Sequence, residues 1–278
     1  METVLICPTD FSECSLNALE FASRLGEKYN AKLVILHVLN KKDYLKLSPE
    51  DAEGKYQKEF IHEKLVNLQR AVEEESLPKG LISCEVMMVE GEIYDGIDKA
   101  SEQLGAEMVI MGTEGMNDRR DQILGSRSSQ MVEKSKIDVL IVPRTVVFKH
   151  FQKIVFASDY LEEDKLAIQK TVEMAKFFDS EVDFVHWEEK ITDLKKLLYL
   201  SVEEEMKPFL NYNKARTKLI SFSGDLADTI ENYLEEEGGD LLVAYSKRKG
   251  FFERIFNKSL SKKMAYFSHK PLWVIKSF

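Results

Sequence analysis

The sequence predicts an α/β protein that repeats itself: two doubly wound domains, each a five-stranded parallel sheet with helices on both faces. Three observations predict this. Short apolar runs alternate with longer amphipathic stretches, the order of strand and crossover helix. The runs, among them Val4-Leu5-Ile6-Cys7, show no polar alternation, so their strands are covered on both faces. The first half of the chain also returns in the second at fixed offsets.

Taken in order, the first strand is expected near 3–7 and leads through Pro8-Thr9-Asp10 into a helix near 13–28. Leu16, Leu19, Ala22 and Leu25 give that helix an apolar stripe at 3.6-residue spacing. A second strand near 32–39 is followed by a helix over 50–75, where Tyr56, Phe60, Leu65, Leu68 and Val72 recur at helical intervals within a highly charged stretch. Strands near 81–89 and 107–111 flank a helix near 93–104, and a helix near 126–136 precedes a last strand at 139–143. Parallel strands joined by right-handed crossovers, with a reversal in strand order, leave a crevice at their carboxyl ends where ligands bind.

The repeat is read from matched residues. Asp10 pairs with Asp159 and His37 with His186, both at an offset of 149 residues. Gly91 with Gly224 and Asp138 with Pro271 give an offset of 133, so the first copy is longer by 16 residues between Leu39 and Glu90. The domains are therefore drawn at 1–146 and 150–278, and the join, Arg144 to Gln152, carries no Gly/Ser/Pro run that would make it a floppy linker.

Composition narrows the function. The 278 residues are 44% hydrophobic and 31% charged, and the formal net charge of -9 argues against nucleic acid or an anionic membrane as partner. Cys7, Cys14 and Cys84 form neither a disulfide framework nor a zinc motif, and no apolar run approaches membrane-spanning length. A cytoplasmic protein is expected.

The most informative motif is Gly112, two residues, Gly115, nine residues, then Gly125-Ser126, set between an apolar strand and a helix. Glycine lets main chain approach a ligand closely, and the free amides at a helix start face an anion with the dipole behind them. Asp10, at a strand end, reads either as a ligand to such a site or as part of the cap of the next helix, shared with Ser12.

These features together resemble the universal stress protein family in its tandem two-domain form, over nearly the whole chain. The resemblance implies a Rossmann-like, adenine nucleotide alpha hydrolase-like fold and an adenine-nucleotide site in the first domain, usually for ATP, with AMP or ADP as alternatives. By that resemblance Pro8, Thr9 and Asp10 border adenine and ribose, and the backbone of Val38 meets the adenine edge. Met111 and Gly112 close over the sugar and first phosphate, while Gly115, Gly125, Ser126 and Ser128 hold the remaining phosphates beside the Arg127 cation. Asp10 is also the carboxylate that would meet Mg²⁺ carried by the phosphates. The family implies binding with slow or no turnover, no catalytic residues, and a nucleotide-responsive stress or signalling role. It further implies pairing of the two domains through their last strands, Val139 to Val142 and Leu272 to Ile275, within one chain, and leaves a homodimer open. A nucleotide-free scaffold and a slow ATPase are the alternatives, and the His-x-Gly-His motif of adenylate-transferring synthetases is absent.

The second domain departs from the pattern. Its three glycine positions carry Tyr245, Arg248 and Lys258, with only Ser259 in register, so it is not expected to bind ATP in the same way. Lys247, Arg248, Lys249, Arg254, Lys258, Lys262 and Lys263 make a locally basic tract there. Glu114, Asp118 and Asp121 are read as a solvated loop, and His37 and His186 as hydrogen-bonded core residues.

Overall fold

The computed structural model describes residues 2–40, 55–113, 126–158, 164–246 and 269–276. Contacts divide the chain into two units, with the main division between Phe148 and Lys149. Unit one runs β1 (Val4–Pro8), α1 (Glu13–Tyr29), β2 (Lys32–Leu39), α2 (Lys55–Ser76), β3 (Ser83–Glu90), α3 (Ile93–Leu104), β4 (Met108–Gly112), α4 (Ser126–Lys134) and β5 (Asp138–Val142). All neighbouring strands pair in parallel, in the order β3-β2-β1-β4-β5. The chain thus winds outward from β1 in one direction and then in the other, which leaves a switch point between β1 and β4.

Burial explains the strands. Leu5, Ile6 and Cys7 of β1 and Leu33, Ile35 and Leu36 of β2 are almost wholly removed from solvent. Helices α1 and α2 touch each other on one face, and α3 and α4 touch each other on the other. Helix α1 begins at the cap Ser12, whose side chain accepts from the Ser15 amide, and ends at Asn30 in the left-handed region, whose amide returns to the Gly26 carbonyl.

Two expected core positions move. Leu16 is exposed, and α1 instead buries Cys14, Ala18, Leu19, Phe21, Ala22 and Leu25, a wider stripe than one set of 3.6-residue intervals selects. Phe60 is also exposed; its neighbour Ile61 and Leu65 face the core, and Lys64 lies 4.8 Å over the Phe60 ring. The side chain of Tyr56 is outside the described residues, as are residues 50–54 of the anticipated helix.

Unit two has the same winding. Its elements are β6 (Lys153–Ala157), α5 (Lys165–Phe178), β7 (Glu181–Glu188), α6 (Asp193–Met206), β8 (Ala215–Ser221), α7 (Leu226–Glu236), β9 (Leu241–Ser246) and β10 (Leu272–Lys276), with strand order β10-β9-β6-β7-β8, all parallel.

Its interior differs in one respect. Asp183 of β7 is fully buried, and one of its oxygens sits 2.9 Å from Lys153 Nζ and 3.1 Å from Lys218 Nζ while accepting from the Tyr233 hydroxyl at 2.7 Å. Glu237 joins both lysines from the end of α7. The corresponding positions of unit one are Val4, Val34 and Ala100, so the same frame carries an ionic cluster in one copy and hydrocarbon in the other. Burial pushes the Asp183 carboxyl up, but the donors from Lys153, Tyr233 and Lys218 outweigh it and hold the group below the ordinary carboxylate value.

Removing the anion leaves two ammonium groups without their buried partner, so Asp183→Ala is expected to cost about 3 kcal/mol of stability at neutral pH. The folded pKa of Asp183 lies below the unfolded one. Its contribution is therefore complete above about pH 4 and is lost as pH falls through the folded value. Urea denaturation of wild type and Asp183→Asn across pH should show a gap at pH 7 that closes in acid.

Candidate functional site

The carboxyl ends of β1, β2 and β4 and the first turns of α1 and α4 enclose a cavity of about 190 Å³, closed from the side by Ile61 of α2 and Ile93 and Ile97 of α3. Pro8, Thr9, Asp10, Val38, Met111, Gly112, Arg127 and Ser128 all line it. Eight of the eleven residues predicted from sequence are thus brought together at the switch point of unit one. Ser126 is the first residue of α4, and Gly115 and Gly125 lie outside the described residues.

The floor is set by the β1 to α1 turn. Thr9 is buried; its amide donates to the Leu36 carbonyl at 2.8 Å and its hydroxyl shares a hydrogen bond with Ser15 at 3.0 Å. The Thr9 carbonyl accepts from His37 Nδ1 at 2.7 Å, which places the imidazole proton on Nδ1. Ser158 and His186 repeat this contact in unit two at 2.8 Å. Both histidines therefore tie the end of the first strand of a unit to its second strand; they are hydrogen-bonded as expected but half-buried rather than in the core, and His37 lines the cavity.

Asp10 stands at the mouth. One oxygen accepts from the Ser12 amide at 3.1 Å and the Ser12 hydroxyl at 2.6 Å, and the other lies 3.1 Å from Arg127 Nη1. Burial raises its pKa, but these donors, with Ser15, prevail and keep the carboxyl below its usual range. The two sequence readings of Asp10 are resolved in part: Ser12 is the cap of α1, and Asp10 orients it. Arg127 brings a cation from the first turn of α4 to the start of α1.

Glycines fix how closely the walls approach. A Cβ on Gly112 would lie 2.5 Å from the Cys14 carbonyl oxygen and 2.7 Å from its sulfur, so α1 can seat against the end of β4 only if residue 112 has no side chain. The Cys14 thiol donates to the Thr113 carbonyl, and the Ser128 hydroxyl donates to the Gly112 carbonyl at 2.9 Å. Gly96 does the same for α3: its Cβ would stand 2.9 Å from Val38 Cγ1.

Three residues in this region carry no weight in the sequence reading. Phe11 takes φ 63°, a left-handed conformation costly for a bulky side chain, and stacks on the His37 ring at 5.1 Å with Lys64 5.1 Å above it. No sequence signal marks that φ. Gly96, a glycine inside an amphipathic helix, was a visible signal of close packing. Trp187 stands in unit two where Val38 stands in unit one; it is wholly buried and meets Tyr233 of α7 edge-on at 5.7 Å. Tyr245 lies on β9, whereas Asp159, Arg248, Lys258, Ser259 and the basic tract are outside the described residues.

Among the described residues no group of three or more His, Cys, Asp or Glu could hold a metal ion, and Asp10 is the single carboxylate lining the cavity. The buried Cys7 thiol is pushed up by burial, and that of Cys84 to about 12 for the same reason, so neither is a ready nucleophile.

Two parallel α/β units, each wound about one switch point, with a capped strand end and a helix start facing a cavity in the first, define a doubly wound architecture of the kind that takes its ligands at the switch point. The universal stress protein family model matches residues 1–143 and again 150–276, and the chain belongs to that family. It is 28% identical over 145 residues to universal stress protein YxiE of Bacillus subtilis, covering 50% of this chain and 97% of that protein. It is 24% identical over 157 residues to universal stress protein MJ0577 of Methanocaldococcus jannaschii, covering 50% and 94%. A crystal structure of a universal stress protein from Archaeoglobus fulgidus shares the fold at 22% identity and TM-score 0.74, covering 98% of this chain and 96% of that one.

Gly112→Ala is expected to destabilise unit one by about 2 kcal/mol, read as a lower melting temperature. Adding Cys14→Ala should not restore it, because the closest atom is main-chain oxygen.

Proposed function

We propose that unit one binds one adenine nucleotide, ATP before AMP or ADP, and that the chain works as a nucleotide-responsive binding module of the cytoplasm. The observation that carries this is the convergence of Asp10, Val38, Met111, Gly112, Arg127 and Ser128 on one cavity at the switch point of a parallel sheet. Family membership supports the same reading.

The size of the cavity suits a base. At about 190 Å³ it falls below the ~300 Å³ of a pocket that encloses a drug-sized ligand. The purine would enter between Val38, Ile61 and Ile97, leaving the sugar beside Asp10 and the phosphates over the amino terminus of α4, where Ser126 begins the helix and Arg127 supplies charge. Mg²⁺ would arrive with the phosphates and meet Asp10, the single carboxylate among the described residues that line the cavity. Gly115 and Gly125 complete the phosphate loop in this reading.

Binding without turnover follows from the state of Asp10. A carboxylate held ionised by Ser12 and Arg127 is a weak general base, because its proton affinity is already lowered. His37 Nδ1 is committed to the Thr9 carbonyl. In unit two the larger, wholly buried Trp187 stands at the position of Val38, so a second nucleotide is not expected.

Isothermal titration of the full chain with ATP and Mg²⁺ should give one site per chain. Arg127→Ala and Asp10→Ala should each weaken it about tenfold or more, the loss of one charged contact, with circular dichroism unchanged. No binding at millimolar nucleotide, two sites per chain, or affinity indifferent to both substitutions would overturn the reading. Phosphate release should match that of Asp10→Asn at background.

A further inference from the structure

Two residues of α2 line the cavity of unit one: Ile61 and, one turn before it, Gln57. A spacing of four places both in one row with Leu65 and Gln69, on the face that α2 turns toward the sheet. Leu65 is wholly buried, Ile61 nearly so and Gln57 half-buried. The two glutamines of this row differ. The Gln69 amide donates to the Cys84 carbonyl of β3 at 2.8 Å. The Gln57 amide has no such partner among the described residues and borders the space lined by Val38, Ile61 and Ile97, to which it brings one acceptor and two donors.

Helix α2 is held over this space from two sides. Lys58, next to Gln57, pairs with Glu90 at the end of β3 at 2.6 Å. Lys64 lies 5.1 Å over the Phe11 ring, which itself stacks on His37. The length of α2 is what brings Gln57 into place. It has 22 residues against 14 in α6, which lies between the corresponding strands of unit two, and with the two helices matched at their carboxyl ends Gln57 falls in turns that α6 lacks.

We propose that Gln57 is a base-reading residue of this cavity, its carbonyl accepting from the exocyclic N6 amine of adenine and its amide donating to N7. The inference rests on the reading of unit one as an adenine-nucleotide site. A side-chain amide sets one donor beside one acceptor in a plane. That pattern matches the N6 and N7 edge of adenine and not the same edge of guanine, where O6 and N7 both accept. The second N6 hydrogen points toward N1, so the main chain of Val38 is left that edge and the two contacts do not compete. A glutamine at the polar end of an apolar row thus selects the base while Ile61 packs on its ring.

Titration of the intact chain with ATP and with 7-deaza-ATP, which carries C–H in place of N7, tests this. Wild type should bind ATP about fivefold tighter than the deaza analogue, the worth of one neutral hydrogen bond. Gln57→Leu, which continues the apolar row, should bind the two alike, with the melting temperature of the nucleotide-free chain no lower than that of wild type. Gln57→Glu sets a second acceptor against N7, so the order should reverse and the deaza analogue bind more tightly. An unchanged preference for ATP in Gln57→Leu, or no preference in wild type, overturns the proposal while ATP binding itself stands. Failure of wild type to bind either nucleotide removes the adenine-site reading, and this inference with it.

Discussion

The missing side chain at Gly112 is the constraint on which unit one is built. With the Cys14 carbonyl where a Cβ would be, α1 starts in contact with the end of β4 rather than one atom's width away. That contact sets the reach of everything after it. The Cys14 thiol meets the Thr113 carbonyl, the Ser128 hydroxyl meets the Gly112 carbonyl, and the starts of α1 and α4 come close enough for Asp10 and Arg127 to form an ion pair between them. Two helix amino termini are thereby aimed at the same region. The glycine serves helix packing first, and its value to a ligand follows from where that packing leaves the walls.

Unit two uses the same frame for another purpose. The strand order, the switch point and the imidazole-to-carbonyl bond at the end of its first strand are all repeated. What changes is the content between sheet and α7. Trp187 and Tyr233 add bulk where unit one has Val38 and Ala100, and Lys153 and Asp183 add charge where it has Val4 and Val34. These changes belong together: the Tyr233 ring packs on Trp187 while its hydroxyl reaches Asp183. Burying a carboxylate is unfavourable alone, and the tyrosine ties it to the Trp187 packing through its hydroxyl.

The fold was legible because burial on both faces leaves a plain record in β1 and β2, and because two copies at fixed offsets check one another. Eight site residues were legible for a related reason: they are strand ends and helix starts, whose place is fixed once the winding is known. The rest depended on tertiary contact. Leu16 satisfied the helical period and still faces solvent, because α1 is covered from more than one side and its small residues, Ala18 and Ala22, fill the interface. The left-handed φ of Phe11 is set by stacking on His37, a residue 26 positions away. The Val38 to Trp187 exchange stood in the aligned strands from the outset, but its meaning needed the partner helix, since a tryptophan there is a plug only if α7 closes over it.

The difference between the two interiors bears on where a ligand could act. In a symmetric pair of open sites, ligand energy would be divided between two equal equilibria. Unit one carries the described cavity, and unit two places the larger Trp187 and Tyr233 at the positions of Val38 and Ala100. A ligand can shift an equilibrium only by its differential affinity for the two states. A ligand in the cavity of unit one would meet the segments next to Arg127 and Ser128. Two interiors of different content follow from a single duplicated frame once the buried residues of one copy are exchanged.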